Sequence, residues 1–546
     1  MLRKIKNALI SVSDKSDLEK ILFYLKKNKI NIISSGGTFK KIIELGYNCM
    51  EVSKFTKFKE MLDGRVKTLH PKIHAGILNN RSNKKHQGQM SKNKFKNIDL
   101  IVVNFYPFQE TITKNKKKNN IIENIDIGGP TMVRAAAKNF KDVTIITDKN
   151  DYRLLINQLE KNKGSTDLRF REYMASKAFG LTAYYDSIIS NWLNKELNIK
   201  FPDKITVPGK KLTELRYGEN PHQKSSIYSN KLSEKEIGFK KIAGKNLSYN
   251  NYNDMFSGLE ILSSLKETGT VIIKHANPSG VSVNSSPLKS FKHALLCDPI
   301  SAFGGVVVCN FKINKKVARE ISKTFFEVIL AKNFDKEALR IFRSRKNLIL
   351  IDISKFKFNS DIQIKYFNNS LLIQDQNLKI FDYKKLKFVT KLKPSKKEIK
   401  LAKFAMNVCK FVKSNSIVLT KDFSTIGIGA GQQSRVHCVR LACSKADNWY
   451  LRQHPNVTTM LFKKNVKRAE KVNAIDIYLQ EEATPNELDA WNSNFETVPD
   501  LITLEGKRHF LDQMSGVALS SDAFFPFRDN IDRATRSGVE YVVQAG

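Results

Sequence analysis

The chain has 546 residues and a formal net charge of +40 at pH 7, from 93 lysines and arginines against 53 aspartates and glutamates. This length exceeds one compact core, so we expect roughly two to four domains, and a hydrophobic fraction of 41% argues against global disorder. The charge suggests a polyanion partner, but the lysines are scattered along the whole chain, so specific nucleic-acid binding is not favoured.

The six cysteines are irregularly spaced and none forms a C-x-x-C pair, which is typical of a reduced, intracellular protein and matches no zinc pattern. The N-terminal segment "MLRKIKNALISV" has too short an apolar run for a signal peptide and suits a first strand. No run approaches the roughly 18 apolar residues that a membrane span needs. We therefore expect a cytoplasmic protein that binds neither a metal nor a membrane.

The first 200 residues alternate predicted strands and helices. In chain order these are "NALISV" (strand), "DLEKILFYLKKN" (helix), "INIISS" (strand), "GTFKKIIELG" (helix), "IDLIVVNFYPF" (strand), "PTMVRAAAKNF" (helix with Pro130 in its first turn) and "DVTIIT" (strand). Such alternation predicts a mostly parallel sheet, whose ligands bind outside the carboxyl ends of the strands. The loops "SVSDK", "SSGGT", "NFYPF" and "IDIGGP" fall there.

The remaining chain is mixed α/β. Residues 198–212 predict a linker, followed by strands "TVIIK" and "GGVVVC" and by helices near 254–266 and 314–323. Residues 350–395 are lysine-rich and weakly patterned. The next segment, "SKKEIKLAKFAMNVCKFVK", predicts an amphipathic helix with Ser395 as cap and Glu398 three residues later.

Two features of the N-terminal part predict an anion site. In "SSGGT" the paired glycines leave backbone N–H groups free at a helix start, and Arg65, Lys67 and Thr68 lie in a constrained loop, "DGRVKTLHPKIHAGIL". Together they would form a phosphate pocket. The alternatives are that the glycine turn has no ligand and that "SVSDK" is only a helix cap.

The stretch "VIIKHANPSG" runs a β-branched strand directly into Lys274 and His275. It is either a polar strand end or a proton-transfer pair. Adjacent residues of a regular strand point to opposite faces, so both can serve one site only if the strand breaks there. Asn277-Pro278 and Gly280 favour such a break.

Three further segments carry candidate ligand groups. "ELRYGENPHQ" offers Arg216 for an anion and Tyr217 for stacking, and "SSDAFFPFRDNID" places three phenylalanines beside carboxylates and an arginine, as for a flat heteroaromatic ligand. A hydrophobic loop beneath the core would have the same composition. "STIGIGAGQQSR" contains G-x-G-x-G but lacks the spacing and the distal acid of a dinucleotide fingerprint.

Eleven collinear blocks closely resemble the bifunctional AICAR transformylase/IMP cyclohydrolase family. They are "SVSDK", "SSGGT", "GRVKTLHPKIHAGIL", "NFYPF", "IDIGGPTMVRAAAKN", "LRYGENPHQ", "GKNLSYNNYND", "KHANPSG", "GIGAGQQSR", "SSDAFFPFRDNIDRA" and "GVEYVVQAG". The resemblance implies an α/β fold: a methylglyoxal-synthase-like parallel-sheet domain (1–199), then two cytidine-deaminase-like transformylase lobes without zinc (200–394 and 395–546). The zinc signature H-x-E with P-C-x-x-C is absent from the sequence.

The resemblance also assigns residues. Lys138 matches the catalytic lysine of the cyclohydrolase, and Lys274 with His275 matches the catalytic pair of the transformylase. The cyclohydrolase substrate positions are matched by Ser13, Asp14, Lys15, Ser35, Gly36, Gly37, Thr38, Arg65, Val66, Lys67, Thr68, Asn104, Phe105, Asp126 and Ile127. The transformylase substrate positions are matched by Arg216, Tyr217, Gly304, Glu327, Asn415, Arg435 and Phe524, and the folate positions by Val436, Phe524, Asp529 and Asn530.

The function implied is formyl transfer from 10-formyltetrahydrofolate to the 5-amino group of AICAR, giving FAICAR, and then dehydrative closure of FAICAR to IMP, by a homodimer that needs no metal. The family continues beyond "VVQAG" with residues that help to bind folate and the substrate phosphate, so an apparently truncated C-terminus makes cyclohydrolase activity alone the second hypothesis. A polyanion-binding protein, suggested by the charge of +40, is the third.

Overall fold

The structure is a computed structural model that describes residues 1–114, 117–230, 238–357, 362–377, 385–480 and 484–545. It contains two compact units. The first comprises Met1–Lys210 with residues 228–230, and the second comprises Lys211–Ile227 and the described residues from 238 onward. The first unit ends within the predicted linker at 198–212. The further division of the second unit at residue 394 stays a prediction.

The first unit alternates short strands and helices. Its strands are β1 (Leu2–Lys4), β2 (Asn7–Val12), β3 (Asn31–Ser34), β4 (Met50–Glu51), β5 (Leu100–Asn104), β6 (Thr144–Ile146) and β7 (Ser165–Asp167). Its helices are α1 (Leu18–Lys27), α2 (Gly36–Glu44), α3 (Val52–Thr56), α4 (Pro71–Leu78), α5 (Lys84–Lys92), α6 (Phe108–Lys114), α7 (Lys118–Glu123), α8 (Gly128–Lys138), α9 (Tyr152–Lys161) and α10 (Leu168–Glu196). The 29-residue helix α10 was not among the predicted elements.

A five-stranded parallel sheet in the order β4-β3-β2-β5-β6 forms the centre of the first unit. After β2 the chain adds β3 and β4 on one side and then returns to add β5 and β6 on the other. The carboxyl ends of β2 and β5 therefore flank a topological switch point, the usual position of ligands in such sheets. The predicted parallel sheet is confirmed.

The remaining elements are mostly those of the second unit. The strands are β8 (Lys210–Glu214), β9 (Ser226–Ser229), β10 (Lys240–Ala243), β11 (Gly269–Lys274), β12 (Asn277–Val283), β13 (Val306–Cys309), β14 (Val328–Ala331), β15 (Ile349–Asp352), β16 (Ile362–Phe367), β17 (Ser370–Asp375), β18 (Ile417–Lys421), β19 (Ser424–Gly429), β20 (Val517–Ser521) and β21 (Val539–Gln544). The helices are α11 (Tyr249–Ser263), α12 (Pro287–Cys297), α13 (Lys315–Ile321), α14 (Lys336–Phe342), α15 (Lys396–Cys409), α16 (Arg435–Leu451), α17 (Pro455–Thr458), α18 (Arg468–Leu479), α19 (Pro485–Asn492), α20 (Leu504–Leu511) and α21 (Asp529–Thr535).

One ten-stranded mixed sheet runs through the second unit in the order β10-β15-β14-β13-β11-β12-β19-β18-β20-β21. Its β-branched strand centres are buried, and they pack against the helices in three hydrophobic clusters. At the β12–β19 junction the ladder joins Ser282 to Ser424, whose hydroxyls hydrogen-bond at 2.8 Å. No helix within the described residues is both long and apolar enough to cross a membrane.

Local signals account for most element boundaries in this unit. Helix α15 begins with the predicted capping box of Ser395 and Glu398. Helix α11 begins five residues before the predicted start because Ser248 and Asn251 form a capping box of their own. The hairpin of β16 and β17 lies in the weakly patterned stretch, and most side chains on both of its faces are exposed. The only alternation of apolar and polar residues in β16 is the four-residue run Ile362–Lys365, which is a short signal for a strand.

Candidate active sites

Asn104, at the carboxyl end of β5, holds the loop that follows β2. Its Oδ1 accepts the backbone N–H groups of Ser13 at 2.6 Å and Asp14 at 3.1 Å, and its Nδ2 donates to the carbonyl of Asp14 at 3.0 Å. The side chain therefore bridges the switch point and fixes the backbone of the "SVSDK" loop. We call the loops after β2, β3 and β5, the loop at 65–68 and the start of α8 the switch-point site.

Two lysines lie against the glycines that open α2. Gly36 has φ +51°, and a Cβ there would lie 2.8 Å from Nζ of Lys67. At Gly37 a Cβ would lie 3.5 Å from Cε of Lys15. Nζ of Lys67 is also 2.7 Å from a carboxylate oxygen of Glu60. A helix N-terminus with two cations beside it is suited to a phosphate group.

Thr38 and Ser35 serve the structure of the same loop. Both are buried. Oγ1 of Thr38 accepts the N–H of Val12 at 3.1 Å and donates to its carbonyl at 3.0 Å. Thr38 therefore ties the start of α2 to the end of β2.

Asp14 has a partner that sequence reasoning missed. Nζ of Lys149, which follows β6, donates to Asp14 at 2.9 Å and to Oγ of Ser16 at 2.8 Å. Hydrogen bonds from the Ser16 hydroxyl and N–H, and then from Lys149, lower the pKa of Asp14 to about 2. The carboxylate stays ionised at neutral pH. No local motif links Lys149 to this loop, because Lys149 lies 135 positions after Asp14 in the chain.

The start of α8 closes the switch-point site. A Cβ at Gly128 would lie 2.7 Å from Oγ1 of Thr68, so the 65–68 loop packs directly on this helix start. Oδ1 of Asp126 accepts the N–H of Gly129 at 2.8 Å. Burial raises the pKa of Asp126, although the hydrogen bonds from the backbone of Gly129 and Tyr106 oppose the shift.

Tyr185, on α10, holds this turn from behind and lies outside every recognisable motif. Its buried hydroxyl accepts the N–H of Asp126 at 2.9 Å, and its ring meets the ring of Phe105 edge-on at 5.0 Å. Burial is the main reason that the pKa of Tyr185 rises to about 12, so the phenol remains neutral. One side chain thus contacts two of the predicted binding loops.

The other predicted cyclohydrolase residues do not converge in the same way. Arg65 is exposed and pairs with Glu123, and Ile127 is exposed. Val66 bridges to Met61 through the backbone. Lys138 is exposed and is the last residue of α8, about 15 Å along the helix from Gly128 at 1.5 Å per residue. Its assignment stays a prediction that rests on the resemblance.

In the second unit, Lys274 ends β11 and the chain turns at once. His275 and Ala276 have φ of 51° and 59°, and Lys274 pairs with Asn277 across the turn, which makes a tight hairpin of the primed type. The predicted break directly after Lys274 is confirmed. Pro278 belongs to the returning strand, because two successive left-handed residues already reverse the chain.

Nζ of Lys274 is held against a glycine loop. It donates to the carbonyl of Phe303 at 3.0 Å, and a Cβ at Gly304 would lie 3.0 Å from it. Gly304 itself has φ +70°, a backbone conformation that other residues rarely adopt. The predicted pair of Lys274 and Gly304 is therefore brought together by the structure.

Helix α11 packs behind this turn and orients three polar groups. Oδ1 of Asp254 accepts the N–H of Ala276 at 2.7 Å. Nδ2 of Asn251 donates to Glu327 at 3.0 Å. Nδ2 of Asn250 donates to the carbonyl of Glu219 at 3.0 Å. We call the residues around the β11–β12 turn the hairpin site.

Arg216 and Tyr217 lie just before Glu219, whose carbonyl accepts the hydrogen bond from Asn250. The guanidinium of Arg216 lies over the ring of Tyr217 at 5.1 Å, and Oγ of Ser225 donates to the carbonyl of Tyr217 at 2.7 Å. The N–H of Tyr249, at the start of α11, donates to the same carbonyl at 3.4 Å. The "LRYGENPHQ" loop is therefore fixed to the helix that carries Asp254.

A second cluster surrounds the start of α16. The guanidinium of Arg435 donates to Oδ1 of Asn415 at 2.7 Å and to Oγ of Ser521 at 2.9 Å, and it pairs with Asp522. Burial alone would raise the pKa of Asp522, but hydrogen bonds from Ser414, Arg435 and the backbone bring it below its ordinary value. Val436 follows on the same helix, half-buried.

A hydrogen bond from a backbone N–H to a side-chain oxygen joins residues beside the two clusters of the second unit. The N–H of Lys413, two residues before Asn415, donates to Oδ1 of Asn277 at 3.4 Å.

The region of 524–530 presents Phe524 and Phe527, which are 61% and 72% exposed. Asn530 is buried and donates to Asp529 at 2.8 Å, so its amide supports the start of α21. Within the described residues no group of three or more His, Cys, Asp or Glu side chains could hold a metal ion.

Comparison with known proteins decides the family. The sequence model of the AICARFT/IMPCHase bienzyme matches residues 136–445, more than half of the chain, and the model of the MGS-like domain matches residues 17–131. The chain belongs to the AICARFT/IMPCHase bienzyme family. The MGS-like match includes β3, β4 and β5 of the parallel sheet, in the part of the chain that was predicted to be methylglyoxal-synthase-like.

Curated relatives of the bienzyme match this chain from end to end. Two proteins named "Bifunctional purine biosynthesis protein PurH", from Magnetococcus marinus and Bradyrhizobium diazoefficiens, are 38% and 39% identical, and each match covers 100% of this chain and 94% of the relative. One of the same name from Persephonella marina is 39% identical over 99% of this chain. A solved structure titled "Crystal structure of ForH" is 28% identical, covers 35% of this chain and 99% of its own, and has a TM-score of 0.32.

Proposed function

We propose that the chain catalyses the last two steps of IMP formation: formyl transfer from 10-formyltetrahydrofolate to AICAR, and closure of the product FAICAR to IMP. The observation that carries this proposal is the match to bifunctional relatives over the whole chain. The geometry supports it, because the predicted residues gather mainly at a switch-point site in one unit and at two linked clusters in the other. Ring closure alone is less favoured, since the bienzyme model extends well into the second unit, to residue 445.

We assign formyl transfer to the hairpin site. The amine of AICAR attacks the formyl carbon, and the imidazole of His275 accepts the proton that the amine loses. Lys274, held by the carbonyl of Phe303, offers positive charge to the developing negative charge on the formyl oxygen. The carbon–nitrogen bond to the folate then breaks, and the proton passes to the departing nitrogen. The products are FAICAR and tetrahydrofolate.

We assign ring closure to the switch-point site. The carboxamide nitrogen and the formyl carbon belong to one molecule, so positioning supplies much of the rate enhancement. Gly36, Gly37, Lys15 and Lys67 suit the phosphate, and the N–H groups at the start of α8 suit the negative charge that develops on the formyl oxygen. Loss of that oxygen as water gives IMP.

The exposed aromatic residues of the second unit suit the folate. We infer that Phe524 supplies a face for the pterin ring, with Asp529, Asn530 and Val436 beside it, and that the anionic parts of AICAR meet Arg216 and Arg435. We further infer that this unit consists of two cytidine-deaminase-like lobes that need no zinc, and that the chain acts as a homodimer. Sedimentation equilibrium measures the homodimer directly.

The test of the two-site assignment is a single substitution. His275→Ala should lower the rate of formyl transfer by about 100-fold or more, because general-base catalysis is lost. It should leave FAICAR closure unchanged. The measurement follows FAICAR formation from AICAR and 10-formyltetrahydrofolate, and IMP formation from supplied FAICAR, with one enzyme preparation. Equal loss of both activities would contradict two separate sites, and no IMP from either substrate with the unaltered chain would end the proposal.

A further inference from the structure

Asp254 lies directly behind the β11–β12 turn. It is not among the residues that the family resemblance assigned to a site. It is half-buried on the second turn of α11. Its Oδ1 accepts the N–H of Ala276 at 2.7 Å, across 22 positions of the chain. This N–H belongs to the residue immediately after His275. The contact therefore acts on the backbone that carries the proposed base.

The turn needs such support because of its backbone. His275 and Ala276 both have φ near +55°, a region that disfavours any residue with a Cβ. Neither is glycine, so the surrounding structure must hold the turn. Lys274, the other member of the proposed catalytic pair, is held separately, because its Nζ donates to the carbonyl of Phe303. Two side chains hydrogen-bond to the apex: Asp254 accepts the N–H of Ala276, and Nδ2 of Asn277 donates to the carbonyl of His275 at 3.1 Å. Of the two, only Asp254 comes from another element.

The charge of Asp254 is also relevant. Burial raises its pKa, and the charge of Glu327 adds to this, whereas the N–H of Ala276 and the charges of His275 and Lys274 lower it. The carboxylate therefore carries a charge of the sign that favours the protonated forms of His275 and Lys274. A neutral acceptor would keep the hydrogen bond but not this interaction.

We propose that Asp254 is a positioning residue for formyl transfer, which holds the left-handed turn so that the imidazole of His275 and the ammonium of Lys274 serve one site. The proposal rests on the proposed function, because it assumes that this pair transfers the formyl group. Asp254 acts through the backbone of Ala276 and does not itself touch the reacting atoms.

The substitution Asp254→Ala tests the role. It should lower kcat for formyl transfer by about 10- to 100-fold, because a shift of about 1 Å in the position of the catalytic groups has an effect of that size. It should change the KM for AICAR by less than about threefold. Asp254→Asn, which keeps an acceptor oxygen, should retain more activity than the alanine variant. Asn253→Ala, an exposed neighbour on the same helix, is the matched control and should resemble the unaltered chain.

A second substitution, in the backbone of the turn, distinguishes a positioning role of Asp254 from a general effect on protein stability. Glycine adopts positive φ without the Cβ penalty, so Ala276→Gly should recover at least about threefold of the kcat lost in Asp254→Ala. The thermal unfolding midpoint reports whether the second unit of each variant is folded, and FAICAR closure by the same preparation reports on the first unit.

Three results would overturn the inference: a kcat for Asp254→Ala within about twofold of the unaltered chain, a KM effect without a kcat effect, or loss that neither Asp254→Asn nor Ala276→Gly relieves. Absence of formyl transfer in the unaltered chain would instead overturn the proposed function, and with it this inference. The two failures are therefore distinguishable in one experiment.

Discussion

At the scale of single residues, glycines mark the places where cations come close to the backbone. Gly36 lies beside Lys67 and Gly304 lies beside Lys274, and a Cβ at either position would be 3.0 Å or less from the ammonium nitrogen. The sequence identified both lysines as candidates. Only the distances show that each is packed against a glycine with positive φ, which leaves backbone groups and a charge facing the same space.

Lys67 and Lys138, two candidate residues for ring closure, lie at different places in the first unit. We therefore expect their substitution to have different effects on FAICAR closure. Lys67→Ala should lower kcat/KM for FAICAR closure by roughly 10- to 100-fold, because a charge beside the phosphate-binding glycines is lost. Lys138 is exposed at the far end of α8, so this position alone predicts that Lys138→Ala changes kcat/KM by less than about threefold. The catalytic role that the family resemblance implies predicts a loss of ring closure instead.

Both variants are compared by IMP formation from FAICAR under subsaturating conditions. Lys20→Ala, an exposed lysine on α1, controls for the general loss of positive charge. A loss in Lys138→Ala as large as that in Lys67→Ala would show that Lys138 acts on the site as the resemblance implies.

At the scale of elements, α8 and α10 work together. The N-terminus of α8 contributes Gly128 and Gly129 to the switch-point site, while α10 packs along it and supplies the hydroxyl of Tyr185 to the preceding turn. The predicted helix with Pro130 in its first turn is confirmed, but a local pattern does not show which later helix supports it.

Removal of that hydroxyl should be measurable. Tyr185→Phe should destabilise the first unit by roughly 1–2 kcal/mol, because the ring packing is kept while the N–H of Asp126 loses a buried acceptor. Urea unfolding followed by circular dichroism measures the change. Tyr173→Phe, an exposed tyrosine of the same helix, is the control. An unchanged midpoint for Tyr185→Phe would mean that water replaces the hydroxyl.

At the scale of the whole molecule, a charge pair ties α12 to α16 in the second unit. Nζ of Lys445 donates to Asp298 at 2.9 Å, and Oγ of Ser301 donates at 2.8 Å. Burial alone would raise the pKa of Asp298, but Lys445 and Ser301 together bring it below its ordinary value. Since the folded-state pKa is the lower one, the pair contributes stability above the unfolded-state pKa and loses it as pH falls through the folded-state pKa.

Stability should therefore depend on pH through this pair. At pH near 7, Asp298→Asn should cost roughly 1–3 kcal/mol, and the difference from the unaltered chain should shrink as pH falls below about 4. Calorimetric unfolding over this pH range measures the effect, with Asp489→Asn on the exposed face of α19 as control. A difference that stays constant with pH would contradict the linkage.

The +40 charge comes from lysines and arginines that are scattered along the whole sequence. Basic side chains near the two proposed sites, such as Lys67 and Arg435, already have acidic partners within the same unit. The charge by itself therefore said little about the sites, because its solvent-exposed part is spread over the molecule and screened by salt.

The sequence by itself determined the parallel sheet of the first unit and the candidate functional groups at the strand ends, because hydrophobic periodicity, caps and glycine turns are local signals. Only the tertiary structure shows that Tyr185, Lys149 and Asp254 contact the loops and the turn of the candidate sites, and that Lys138 is exposed as the last residue of α8. Those contacts join residues 59, 135 and 22 positions apart, and no local pattern specifies such pairs. The left-handed turn at His275 is of the same kind, since a hydrogen bond from another element holds a conformation that its own residues disfavour.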